Sequence, residues 1–220
     1  TRKYKVLRFM DWMETTTDRQ DGTWASRPRL TQARWSGQGG VPLEALIELA
    51  NRLNAYPWFN TPHRANDDYV RNFAQMVLAR LDPSLKVYLE YSNETWNPDF
   101  PAAAYSEAQA QALGIAAGDP YTSRIRFHAR RAPQISDIWA SVFGGNTRLQ
   151  RVLGGQLVSL YLTDVVAGFE NAYQKADALG VNAYFDLPDV STTEDAERFA
   201  ALTNAQAFAE IRTKALPAVA

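Results

Sequence analysis

Cysteine is absent from all 220 residues, so neither a disulfide framework nor a thiolate metal site can form. That absence suits any compartment and identifies none. Long apolar runs are missing too: no window approaches the ~18 uninterrupted apolar residues of a membrane-spanning helix. Neither sign of charge is in excess, the formal net charge being −1. This removes the electrostatic case for nucleic acid or an anionic membrane as a partner. Glycine is not arranged to hold phosphate. Gly37-Gln38-Gly39-Gly40 has no Lys-Ser/Thr after it and reads as a flexible turn, and no dinucleotide fingerprint follows any strand. No cofactor and no bound metal are therefore expected. The chain starts Thr-Arg-Lys-Tyr, with neither Met nor a signal-like apolar run, so its natural start is expected to have been removed.

What the chain does carry is apolar and aromatic. Apolar residues make up 46% and charged residues 21%, the balance of a globular chain, and the length suits one domain over 1–220. Six Trp, ten Tyr and ten Phe exceed what a core of this size readily explains, because several sit in polar, loop-like sequence.

Short apolar runs alternate with longer helical ones, which argues for βα units and a parallel sheet. Strands are expected at 6–10, 56–60, 87–91, 149–153 and 181–185. Between them, Leu43, Leu46, Ile47, Ala50 and Leu53 share one helical face after Pro42. Asn66-Asp67-Asp68 caps a helix carrying Tyr69, Phe73, Val77 and Leu81. A helix over 102–113 stops at Gly114. Another opens at Asp119-Pro120 and runs to Phe143 with a break expected near Pro133. Residues 157–179 and 192–214 read as helical. The pattern predicts an α/β chain of about five βα units, part of a (β/α)8 barrel or of a doubly wound sheet.

In such folds the chemistry lies at the C-terminal ends of strands. The segments after the strands are indeed the polar and aromatic ones: Trp24, Arg27 and Trp35 after the first, His63 and Asn66 after the second, Tyr184 at the fifth. The most informative stretch follows the third, where Val87–Tyr91 leads into Ser92-Asn93-Glu94-Thr95-Trp96-Asn97. Trp and Tyr faces stack on the C–H surfaces of sugar rings, and Asn, Gln, Asp and Arg match hydroxyl groups. These residue types suit carbohydrate. Blander readings stand beside this one. Glu94 also reads, less favourably, as a first-turn helix carboxylate and Asn93 as an Asx turn. Arg8 could simply pair with a buried acid. Trp24 and Trp35 are either sugar platforms or a hydrophobic plug in a long loop.

The Tyr-Ser-Asn-Glu-Thr-Trp-Asn segment resembles the Asn-Glu motif ending the fourth strand in the clan of retaining (β/α)8-barrel glycoside hydrolases. That clan includes many cellulases, mannanases and xylanases. The resemblance implies a TIM-barrel type fold of which strands two to six are identified here. It makes Glu94 the general acid/base and Asn93 the ligand of a sugar 2-hydroxyl. Arg8 corresponds to an arginine supporting the nucleophile, His63 to a substrate-binding histidine, and Tyr184 to an aromatic on the sixth strand. Trp96, Trp24 and Trp35 join them as substrate-binding candidates. The implied substrate is a β-linked polysaccharide or oligosaccharide, and the implied location is extracellular or periplasmic.

A retaining enzyme needs a second carboxylate about 5–5.5 Å from the first. The clan places it on a seventh strand, which this chain is not seen to carry. The 220 residues are therefore expected to be part of a longer barrel, closed by missing segments or a partner chain. Two rivals remain: a non-catalytic carbohydrate-binding module with an aromatic cleft, and an unrelated α/β enzyme in which Asn-Glu is a coincidence.

Overall fold

The computed structural model describes residues 4–35, 39–156, 159–182, 192–207 and 209. Strands and helices alternate along the chain: β1 (Val6–Arg8), α1 (Leu43–Leu53), β2 (Tyr56–Thr61), α2 (Asp67–Arg80), β3 (Val87–Tyr91), α3 (Pro101–Ala112), α4 (Pro120–Phe143), β4 (Leu149–Gln156), α5 (Leu160–Gly168), a 3-10 segment (Phe169–Lys175), β5 (Ala178–Asn182) and α6 (Thr193–Ala200). The five strands lie side by side in sequence order as one parallel sheet, curled into a half-barrel. Two compact units result, 1–181 and 182–220. In the second, α6 is preceded by Thr192, whose hydroxyl oxygen accepts from Asp195 N at 3.1 Å.

Local signals set the helix starts where the sequence indicates. Asn66 Oδ1 accepts from Tyr69 N at 2.8 Å and Asp119 Oδ1 from Thr122 N at 2.8 Å, each satisfying an amide that the helix leaves unpaired. The face of α1 is buried at Leu43, Leu46, Ile47 and Ala50. The α2 helix buries Tyr69, Phe73 and Val77, three of its four expected core residues. The fourth, Leu81, is the C-cap and is also buried.

Register divides the sheet into two unlike faces. Arg8 aligns with Trp58 and Trp58 with Tyr88, while Asn60 aligns with Glu90 and Glu90 with Val152. Side chains alternate along a strand, so these residues share one face. On it, Trp58 and Tyr88 stack at 5.6 Å, and Tyr56 and Tyr88 at 6.5 Å. The opposite face carries Phe59, Leu89 and Leu153, all buried beneath the helices. There Phe73 packs edge-on against Phe59 at 5.0 Å and against Trp139 at 5.1 Å. Truncating such a ring to alanine costs about 3–5 kcal/mol.

Strand β1 ends at Arg8 and not at residue 10, and in the stretch 192–214 α6 ends at Ala200, with residues 208 and 210–214 outside the described residues. Four further expectations shift. The α4 helix runs unbroken through Pro133 for 24 residues, because packing against α2, α3 and α5 outweighs the lost hydrogen bond. Strand β4 continues past 153 to Gln156, since Gly154 and Gly155 conceal a strand from any side-chain pattern. Strand β5 starts three residues earlier than expected, at Ala178. The helix expected over 157–179 instead stops at Gly168, and left-handed backbone at Glu170 (φ 51°) and Asn171 (φ 57°) follows.

Candidate functional site

At the end of β3 the backbone turns sharply. Ser92 N still donates to Thr61 O at 2.8 Å, extending the ladder by one bond. Ser92 and Glu94 then both adopt left-handed backbone, at φ 53° and φ 42°. A residue with a Cβ is disfavoured there by about 1–2 kcal/mol. Two such residues flanking Asn93 mark a turn that its surroundings impose.

Those surroundings are specific. Asn60 Nδ2 donates to Ser92 O at 2.7 Å and to Glu90 Oε2 at 2.8 Å. Asn97 closes the turn with its backbone N to Glu94 O at 2.8 Å, and its side-chain Nδ2 donates to Glu94 Oε2 at 3.0 Å. Thr95 Oγ1 lies 3.0 Å from His128 Nδ1 on α4. Residues 92–95 are all buried, with Asn93 6% and Glu94 9% exposed. Glu94 is thus an oriented carboxylate held by a strained, hydrogen-bonded turn, and its carboxyl is fixed by a neighbouring amide.

Beneath the turn lies a charged cluster. Glu90 Oε2 accepts from Arg8 Nη2 (2.9 Å), Arg8 Nε (3.2 Å), Trp58 Nε1 (2.7 Å) and Asn60 Nδ2 (2.8 Å), while Oε1 accepts from Arg8 Nη2 at 3.0 Å. Burial pushes the Glu90 carboxyl above its ordinary range, and Arg8, then Asn60 and Trp58, pull it back. Arg8 also donates to Asn93 Oδ1 at 3.2 Å. A guanidinium only donates, so Asn93 meets it with its carbonyl oxygen and keeps its NH2 group as a donor. Arg8 therefore pairs with a buried acid, as one reading of the sequence allowed, and also orients the amide next to Glu94.

His63 is 3% exposed at the end of β2. Asp18 Oδ1 lies 3.3 Å from its Nε2, without the alignment of a hydrogen bond. Burial lowers the His63 pKa, against the opposing pull of Asp18. Tyr91 donates its hydroxyl to His63 O at 3.0 Å, tying the ends of β2 and β3 together. Buried polar side-chain atoms without a partner gather in this region: Asn60 Oδ1, Thr61 Oγ1, His63 Nε2, Ser92 Oγ, Trp96 Nε1 and His128 Nε2 account for six of the ten among the described residues. Native interiors rarely leave such groups unpaired.

The tryptophans fare differently. Trp96 is 3% exposed and packs edge-on against His128 at 5.4 Å, as part of the core wall behind the turn. Trp24 is half-buried, edge-on to Tyr69 at 5.5 Å, with the Arg27 guanidinium 4.1 Å over its ring. It plugs the long β1–α1 loop. Trp35 is exposed and lines an apolar groove with Trp12, Val41, Ala45 and Leu49, among which no residue of the β3 turn appears. Tyr184 lies outside the described residues.

Glu90, Trp58 and His128 were not among the expected site residues, whereas Asn60 was expected among the polar groups following the second strand. Glu90 had a signal, being the one charge at an inward position of an otherwise apolar strand. His128 had none, sitting in mid-helix among Ile125, Ala129 and Ala132. Compared with protein-family models, curated proteins and solved structures, the chain matches none.

Proposed function

We propose that this chain is a glycoside hydrolase of the retaining (β/α)8-barrel type acting on a β-linked polysaccharide, with Glu94 as general acid/base. One observation carries the reading: the left-handed Ser92 and Glu94 flank Asn93 at a parallel strand's C-terminal end, with Arg8 on the Asn93 carbonyl and Asn97 on the Glu94 carboxyl. Strain held in place by buried hydrogen bonds is characteristic of a group positioned for chemistry. Glu94 protonates the glycosidic oxygen as the bond breaks and later takes a proton from the incoming water. Asn93 donates its NH2 to the sugar 2-hydroxyl. His63 is the further candidate sugar contact on the β2 side, Tyr184 joins it only as the family resemblance implies, and Arg8 holds Asn93 in register. The nucleophile is a carboxylate from a strand other than the five described, as the family resemblance implies. Secretion to the extracellular space or periplasm follows from a polymeric substrate.

The stacked Tyr56, Tyr88 and Trp58 on the inner face favour a second reading, a carbohydrate-binding module without turnover. A panel of soluble β-glycans, assayed for binding and for release of reducing ends with the barrel completed by the strand that carries the nucleophile, separates the two. The hydrolase reading expects both binding and release, with release abolished and binding kept in Glu94→Gln. Binding without release by the wild-type protein would favour the module, and no binding to any glycan would remove both.

A further inference from the structure

Asp18 belongs to the long β1–α1 loop, yet it stands against the end of β2. Two anchors hold its stretch of chain there. Gln20 Nε2 donates to Met13 O and Gly39 O, both at 2.8 Å, and closes the loop on itself. Gly22, at φ 83°, packs directly on the Arg64–Ala65 peptide: a Cβ there would come within 2.0 Å of Arg64 O, and Asn66 N donates to Gly22 O at 3.0 Å. Arg64 then grips the Asp18 carboxylate with two nitrogens, Nε to Oδ1 at 2.6 Å and Nη2 to Oδ2 at 2.7 Å. The same Oδ1 faces His63 Nε2 at 3.3 Å. That ring nitrogen is sealed from solvent, and Tyr105 packs edge-on against the ring at 5.4 Å. A carboxylate oxygen only accepts, so it repels a lone pair on Nε2 and attracts a proton there, even without ideal alignment. Burial lowers the His63 pKa, so at neutral pH the ring has one proton to place.

We infer that Asp18 is a positioning residue that fixes His63 in the Nε2–H tautomer, leaving Nδ1 as the hydrogen-bond acceptor for a sugar hydroxyl. In a neutral imidazole one nitrogen donates and the other accepts, so holding the proton on one side sets the role of the other. Nδ1 is not among the sealed, unpaired atoms that include Nε2, and no donor of the described residues reaches it, so it is the ring nitrogen open to a ligand. On the neighbouring strand's end Asn93 keeps its NH2 group as a donor. The two side chains thus give a sugar one donor and one acceptor. The acceptor role rests on the sugar reading; the tautomer does not.

Ring nitrogen and ring N–H resonances test this. The chain has two histidines, and His128→Gln identifies the signals of His63. In the wild-type protein at neutral pH, His63 should show a protonated Nε2 and a bare Nδ1. Asp18→Ala should move the Nε2–H resonance upfield and speed its exchange with solvent. Asp18→Asn, which keeps an acceptor oxygen, should restore most of both. A soluble β-glycan should shift Nδ1 of the wild type upfield, the direction of an accepted hydrogen bond. A protonated Nδ1 in wild type overturns the proposal, and so does an Nε2–H unmoved in Asp18→Ala. A loss that Asp18→Asn does not restore reports a displaced loop and also overturns it. An Nδ1 unmoved by a glycan that binds overturns the acceptor role. If no glycan binds, the sugar reading fails and the acceptor role with it, while the tautomer still stands or falls on the nitrogen shifts. Should Asp18→Ala not fold, the wild-type tautomer decides alone.

Discussion

Arg8 and Glu90 come from the ends of β1 and β3 and meet on the inner face of the sheet, Arg8 Nη2 lying 2.9 Å from Glu90 Oε2. The Glu90 side chain is 7% exposed and that of Arg8 30%. The pair fixes the order of strands β1 to β3 at one level and delivers Arg8 to Asn93. A buried carboxylate is tolerated only with its donors in place.

Removing one partner should therefore cost more than removing both. Arg8→Ala leaves Glu90 buried without its cation and is expected to destabilise by about 3 kcal/mol in urea unfolding. Arg8→Met combined with Glu90→Met should recover most of that loss. A double variant as unstable as Arg8→Ala alone would show that the charge pairing is not what the cluster contributes.

His128 gives the fold an acid limit. Burial pushes its pKa from 6.5 down to about 4. Between those values the unfolded chain binds a proton that the folded chain refuses, so stability is complete above pH 6.5 and lost as pH falls towards 4. From pH 7 to 4.5 this group alone accounts for about 2 kcal/mol. The lowered His63 acts in the same direction. Urea midpoints for wild type and His128→Gln at the two pH values check this: the variant should lose clearly less than wild type on acidification.

The strained turn should be separable from stability. Ser92 is fully buried, left-handed at φ 53°, and its hydroxyl has no partner among the described residues. Ser92→Gly relieves the backbone and deletes the unpaired group, offset in part by the greater freedom of glycine in the unfolded chain. A net gain of about 1 kcal/mol is expected. Turnover, if the turn positions Glu94, should fall in the same variant. Gain in both would mean the strain has no catalytic use.

The alternation of short apolar runs with amphipathic helices was enough to read the βα order, and the caps at Asn66 and Asp119 were legible as local chemistry. Strand β5 was displaced because Gly180 inside it reads as a helix stop, which assigns Ala178 and Leu179 to the preceding helix. Residues 93 and 94 stood out by type and by position after a strand. What singles them out physically, the paired left-handed backbone, has no signature in Ser or Glu and emerges only from the contacts with Asn60, Asn97 and His128. The burial of Trp96 was not legible, because an aromatic after a strand reads the same whether it faces solvent or the neighbouring helix. The partner of Arg8 required register: Glu90 joins it only once β1, β2 and β3 are aligned.

Glu94 as general acid is tested most directly by leaving-group dependence. A polysaccharide leaving group needs protonation, whereas a dinitrophenolate does not. Replacing Glu94 with Gln should therefore lower kcat on a soluble β-glycan by about 10²–10⁴-fold. Bond cleavage in the matching dinitrophenyl β-glycoside should remain near the wild-type rate. Equal loss on both substrates, or wild-type turnover on the glycan, would contradict the role assigned to Glu94.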